Sequence, residues 1–201
     1  MLSNTAANQR NESGGLVHVA GKEYRSAVRS RELIREAMLN LICEKNLNDI
    51  TIKEVVEKAR INRSTFYAHY SNLGDLVEEL ELELLTFLEE QLKQRSGATI
   101  TPEDAARNII SLLNAYPKCK NGKSGNASFF EVLQRVLNQY VDLCLDEVPL
   151  SQREDTSYRS RLQLTVMFVY YTAINCDTGL WCYNTNFSQA AEDIITLCRK
   201  L

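Results

Sequence analysis

Proline and glycine are scarce in this chain, 3 and 8 of 201 residues. With so few breakers, a steady apolar rhythm and hydrophobic residues at 44%, the chain reads as a soluble, largely helical protein with a real core. Histidine is scarcer still: His18 and His69 are the only two. The six cysteines, Cys43, Cys119, Cys144, Cys176, Cys182 and Cys198, form no CxxC and none stands at zinc spacing beside a histidine. That argues against a structural or catalytic metal and leaves reduced, mostly buried thiols as the expectation. No GxxxxGK[ST], GxGxxG, HExxH or GxSxG occurs, so phosphate-cradling loops and the common hydrolase centres are missing. The N-terminal residues lack the apolar stretch of a signal peptide. The most apolar run, Leu162 to Tyr183, is broken by Gln163, Asn175 and Asp177, which reads as a buried helix rather than a membrane span. The expected location is cytoplasmic, with no cofactor.

Charge is unevenly placed. The net charge is only −3, but residues 1–75 hold 11 Lys+Arg against 9 Asp+Glu, and residues 76–201 hold 12 against 17. The first part is the one suited to an anionic partner.

Hydrophobic spacing divides the chain into helices. Residues 1–24 are polar, small and non-periodic at their start, and are expected to form a disordered arm. From Ser30, the residues Leu33, Ile34, Ala37, Met38, Leu41 and Ile42 fall on one stripe. Thr51 followed by Glu54 is a capping box that starts a second helix, with Ile52, Val55, Val56 and Ala59 inward. A short turn with Asn62 as N-cap leads into "RSTFYAHY". Asn72, with Asp75 in the first turn, opens a long helix to about Gln94. Further helices are expected over Pro102 to Ala115, Ser128 to Glu147, Ser157 to about Thr178, and from Ser188 to the end. The expected architecture is all-α. Residues 25–72 form a three-helix module with a helix-turn-helix, and 73–201 form a helical body.

The chemistry concentrates in "ARINRSTFYAHYSNLGDL". His69 has no Ser, Cys or acidic partner at local spacing on the same helix face, which argues against catalysis. A recognition helix in the major groove puts its first residues at base edges, here Arg63, Ser64 and Thr65. Tyr67, His69 and Tyr70 carry stiff polar tips suited to phosphate oxygens. Thr51 and Lys53 at the start of the second helix, Arg60 and Asn62 in the turn, and Arg29 within a basic arm of Lys22, Arg25, Arg29 and Arg31 complete the candidate DNA-contact set. Phe66 reads as core, and Tyr70 reads as readily core as phosphate donor.

These residues resemble the DNA-binding domain of the TetR (tetracycline-repressor-like) family. The family pattern T-x-x-x-[IV]-[AV]-x-x-A-G-[VI]-[ST]-x-[GS]-T-[LF]-Y-x-[HY]-[FY]-x-[SN]-K-x-x-L is matched at Thr51, Val55, Val56, Ala59, Ile61, Ser64, Thr65, Phe66, Tyr67, His69, Tyr70, Asn72 and Leu76. Arg60 stands where the family has Gly, Leu73 where it has Lys, and Asn62 where it has Ser or Thr. The resemblance implies a homodimer on a palindromic operator and a C-terminal ligand-binding and dimerisation domain. It implies a regulator rather than an enzyme, in the simplest case a repressor released by a small molecule. The alternative on the same scaffold is an adaptor acting through a protein partner.

The body is rich in aromatics. Tyr116, Phe129, Tyr140, Met167, Tyr170, Tyr171 and Trp181, with Asn175 as a polar group, are the candidate lining for a small apolar or aromatic effector. Leu162 to Ile174 is apolar nearly all round, so one face needs cover beyond the monomer's own core; a four-helix seam with the final helix is the expected dimer interface.

Overall fold

The computed structural model describes residues 12–94, 99–116 and 127–175, with 193, 195 and 196; the side chains of 12–24, 127 and 173–175 are excepted. Described regular structure is helical throughout: α1 (Glu12–Ile42), a 3-10 turn (Leu47–Asp49), α2 (Ile52–Ala59), α3 (Arg63–Tyr67), α4 (Leu73–Lys93), α5 (Pro102–Ala115), α6 (Ala127–Asp146), α7 (Leu150–Arg153) and α8 (Thr156–Asn175). The all-α reading holds. The short α7 was not anticipated from the sequence.

Helix α1 corrects one boundary. It begins at Glu12, well before Ser30 and inside the stretch expected to be a disordered arm. Three glycines, Gly14, Gly15 and Gly21, fall within it but no proline does, and Leu16, Ala20 and Tyr24 continue at four-residue spacing. Residues 1–11 lie outside the described residues. Ile34, Ala37, Met38, Leu41 and Ile42 are buried as their spacing predicts, whereas Leu33 sits on the rim, 36% exposed.

The helix starts follow local chemistry. The Thr51 hydroxyl accepts from the Glu54 N–H while Glu54 accepts from the Thr51 N–H, a reciprocal capping box. Thr101 and Asp104 repeat the device ahead of Pro102 at the start of α5. Asn72 caps α4 by accepting from the Asp75 N–H. Asn62, in contrast, has the extended backbone of an N-cap but makes no side-chain capping bond to α3. Its amide is left facing outward.

Helix α2 ends in a Schellman arrangement. The Ile61 N–H reaches the Val56 carbonyl, and the Arg60 N–H reaches the Glu57 carbonyl. That closure requires a left-handed residue, and Arg60 supplies it at φ 55° and ψ 44°. Gly would adopt this conformation without a Cβ penalty.

Helix α4 joins the two halves of the molecule. Leu76, Leu80, Leu84, Leu88 and Leu92 line its buried face. It packs on α6, where Phe129, Val132, Leu133, Val136, Leu137, Tyr140 and Cys144 are buried, and α5 packs on α8. Cys43 and Cys144 are buried thiols, as expected for these two. The Leu47 N–H donates to the buried Ser128 hydroxyl at 2.6 Å, tying the N-terminal helices to α6. No described helix is long and apolar enough to cross a membrane.

Replacing Arg60 by Gly should stabilise the protein. Relief of the left-handed strain, roughly 1–2 kcal/mol, exceeds the extra entropy of an unfolded glycine, roughly 0.4–1 kcal/mol. Urea denaturation should show a net gain of up to about 1 kcal/mol. A loss would mean that the arginine side chain contributes more than its backbone costs.

Candidate nucleic-acid interface

The turn at 60–62 sets α2 and α3 as two short helices joined by a tight reversal. Five residues are too few for an independent helix, and α3 is held by Phe66, which is fully buried. Its ring meets Tyr67 edge-on at 5.6 Å and Tyr70 at 5.7 Å between centroids. With Phe66 inward, helical geometry turns Arg63, Ser64 and Tyr67 outward; all three are exposed, and Thr65 is half-buried. Tyr67 is 51% exposed, unusual for a large aromatic beside a core.

Around this face stand the other sequence-named residues. Arg60, Asn62, Lys53 and Thr51 are exposed, as is Arg29 on α1. Lys53 has one loose neighbour, Glu57, at 3.9 Å. Thr51 is occupied: its hydroxyl donates to Glu54 at 2.8 Å and accepts from the Glu54 amide. The carboxylate thus sits where a phosphate would meet the Thr51 N–H, leaving the amides of Ile52 and Lys53 as the orphan donors of this helix end. Glu54 is held in turn by Lys45 at 2.6 Å. Its pKa falls to about 2, first through the Lys45 hydrogen bond and then through Thr51.

Tyr70 is a correction. Only 4% exposed, it belongs to the core and not to the phosphate-facing set. It lies one turn beyond Phe66, on the same inner face. Burial pushes its phenol up to about 12, and Arg31 lies over its ring at 6.0 Å. Arg31, expected in the basic arm, is instead bonded to Glu79 on α4 at 2.7 and 3.1 Å, which raises its pKa further. His69 is half-buried, with Nε2 2.7 Å from the Ser30 hydroxyl on α1. Its partner Ser30 was not singled out from the sequence, because a serine on a helix carries no signal until its neighbour is known.

The candidate effector residues do not converge. Phe129 and Tyr140 are fully buried core, and the Tyr140 hydroxyl accepts from Asn108 at 2.8 Å. Tyr170 is buried against Phe130 at 5.8 Å and donates to the Phe130 carbonyl. Met167 is half-buried and Tyr171 is 55% exposed. Trp181 and the side chain of Asn175 lie outside the described residues. Tyr116 lines a groove of about 640 Å³ between α1 and α4, with Val28, Leu82, Phe87, Glu83 and Arg35 among its walls. Among the described residues, no group of three or more His, Cys, Asp or Glu is arranged to hold a metal.

No family model matches the chain. Two proteins of Bacillus subtilis (strain 168) are similar over a segment the size of one small module. The HTH-type transcriptional regulator YxbF, described as uncharacterized, is 39% identical over 57 residues, 28% of this chain and 15% of its own. YvdT, described in the same words, is 34% identical over 64 residues, 32% of this chain and 33% of its own. The match thus spans a third or less of either relative. Among solved structures, the dihydroxyacetone kinase operon activator DhaS superposes with a TM-score of 0.53 at 12% identity, covering 85% of this chain and 94% of that one. Its likeness is one of fold, and it matches an all-α architecture with an N-terminal helix-turn-helix module. Both sequence similarities are to proteins described as helix-turn-helix transcriptional regulators.

The capping box gives a pH test. Glu54 is depressed below its ordinary 4.5, so its contribution is complete above that value and is lost as pH falls through about 2. The Thr51 amide should keep its folded NMR shift at about pH 4 and move only near pH 2. Movement centred near 4.5 would show the carboxylate unpaired.

Proposed function

We propose that the chain is a sequence-specific DNA-binding transcriptional regulator of the TetR type, acting as a homodimer on a palindromic operator and released from it by a small effector. One observation carries the reading: a polar, exposed α3 surface, Arg63, Ser64 and Tyr67, rides on a single buried phenylalanine directly after a tight turn. Such a helix is too short to serve as scaffold; its value lies in what it presents. Arg63 at its N-terminus suits bidentate hydrogen bonding to guanine, and Ser64 and Thr65 follow at base-edge positions. Lys53, Arg60, Asn62, Tyr67, His69 and Arg29 flank it as phosphate donors, with the Thr51 capping box orienting α2.

The dimer reading is supported by α8. Its inner side buries Leu162, Val166, Val169 and Tyr170, while Leu164, Phe168 and Tyr171 stay exposed at helical spacing, 61%, 39% and 55%. Those three form one apolar stripe that another copy would cover. Of the final helix expected beside it, residues 193, 195 and 196 are helical with Ile195 buried; the rest lies outside the described residues. Two copies would present two α3 helices to half-sites about one DNA turn apart.

For the effector, a small and largely apolar molecule, the support is the groove containing Tyr116, where Val28, Leu82 and Phe87 supply apolar walls. The groove falls within the size range of small-molecule sites. It opens between α1 and α4, so a ligand there would shift the module against the body and the half-site separation with it.

Binding to the DNA upstream of its own gene should weaken steeply with salt, log K falling by about 0.9 per log unit of salt for each phosphate neutralised. Arg63→Ala should relax the choice of one base pair by about 1–3 kcal/mol, while Tyr67→Phe should weaken binding to all sequences alike. Salt-independent or absent binding in gel-shift titrations would favour the protein-binding adaptor instead.

Phe168→Glu should dissociate the dimer and abolish tight operator binding together, since a charge at the centre of an apolar seam is left without a partner. Sedimentation velocity reads the first effect and anisotropy the second. A native chain that is monomeric yet binds a palindrome tightly would refute the α8 interface.

A further inference from the structure

We propose that Ser30 is a positioning residue for His69, fixing the imidazole so that a DNA phosphate is met only by its protonated form. The proposal rests on the DNA-binding reading above and adds to it a dependence of that binding on pH.

The argument is one of hydrogen counting. The Ser30 hydroxyl lies 2.9 Å from the Ala27 carbonyl and 2.7 Å from His69 Nε2. A hydroxyl has one hydrogen, and a carbonyl oxygen can only accept. Both contacts are satisfied in a single arrangement: the hydroxyl donates to Ala27 O and accepts from Nε2–H. The reverse, with the hydroxyl donating to Nε2, would leave two oxygens facing each other without a proton between them. The neutral ring therefore carries its hydrogen on Nε2, spends it on Ser30, and is left with a bare lone pair on Nδ1. Among the described residues nothing is bonded to Nδ1.

Phosphate oxygens only accept. Against a phosphate the neutral His69 offers a lone pair, which repels it. The protonated ring keeps Nε2–H on Ser30 and gains Nδ1–H, so it offers a donor and a positive charge together. DNA binding then takes up one proton from solvent for each His69 engaged. The sign follows: affinity is greatest where the imidazole is charged in the free protein and falls as pH rises.

The charged and titratable groups around Ser30 and His69 come from α1, α3 and α4. On α1 the charged neighbours of Ser30 are Arg29 and Arg31, the latter bonded to Glu79 of α4. At the start of α4, Asp75 accepts from the Ser71 N–H, which holds its carboxylate below the usual range. Arg63 and Tyr67 lie on α3, and Tyr70, at 6.2 Å between ring centroids, is pushed up to about 12 by burial. Carboxylates, phenols and guanidinium groups ordinarily hold their charge state between about pH 5.5 and 8, where histidine changes its own. His18, the second histidine, is separated from this effect by the variants.

Two measurements on the full chain test it. In the free protein, long-range proton–nitrogen NMR at about pH 8 should show an exchange-protected Nε2–H on His69 and a bare Nδ1. Ser30→Ala should remove the protection, and Ser30→Thr should keep it. Fluorescence anisotropy with a random-sequence DNA duplex of about 30 base pairs, at fixed ionic strength, gives the second. Affinity of the native chain should fall between about pH 5.5 and 8, approaching tenfold per unit for each His69 engaged. His69→Gln should be flat, and Ser30→Thr should follow the native profile. Ser30→Ala should be flatter than native, because the freed ring can turn and offer Nε2–H without an added proton. A Ser30→Ala loss by the same factor at every pH would make Ser30 merely structural and overturn the proposal. So would a protonated Nδ1 in the neutral ring, or tight binding with no pH dependence in the native chain. No binding of the duplex at any pH would overturn the DNA-binding reading itself and this inference with it.

Discussion

The burial of one ring governs how this surface is built. Helix α3 has five residues and no side-chain N-cap, so neither propagation nor capping can hold it. What holds it is Phe66, with no exposed surface, inside the same core as Ile34, Met38, Val55 and Val56. Burying a phenylalanine contributes about 1.5–3 kcal/mol, and Phe66 is the one fully buried side chain of α3. Every outward side chain of α3 takes its direction from that anchor. The Schellman closure at Arg60 serves the same end, because the angle at which α3 leaves α2 is set by a residue held left-handed.

A second set of contacts joins this module to the body. Arg31 bonds Glu79, Arg35 bonds Glu83 and lies 3.9 Å from Glu79, and the Tyr116 hydroxyl donates to Glu83 at 3.1 Å. Ser30 and Tyr70 sit at the upper end of the same ladder. These side chains are partly exposed, and such ion pairs add little to stability. Their consequence is geometric. They fix the rotation of α1 against α4, and α1 carries the partner of His69. The groove beside them is bounded by the same residues.

Helix α8 illustrates how composition and burial part company. Its sequence is apolar nearly all round, which by itself fits a core helix, a membrane segment or a dimer seam. In the fold, Leu162, Val166 and Val169 are inside while Leu164 and Phe168 remain outside. A helix lying against one side of a bundle can bury only one of its faces. The uncovered stripe is a property of that placement.

Much of the architecture was legible in the residues themselves. Capping boxes at Thr51 and Thr101, the Asn72 cap, Pro102 at a helix start and leucines at three- and four-residue spacing are local signals, and local hydrogen bonding honours them. The stretch Arg63 to Tyr67 was legible as a short helix with a polar outer face for the same reason, and Arg63, Ser64 and Tyr67 are exposed in the fold. Other features depend on what arrives from elsewhere in the chain. Tyr70 went inward and Arg31 was drawn to Glu79, a residue 48 positions away. The partner of His69 and the dispersal of the body's aromatics were equally invisible. Periodicity specifies which face of a helix is apolar. Which neighbour that face meets, and which polar group is stranded or satisfied there, is decided only when distant helices pack.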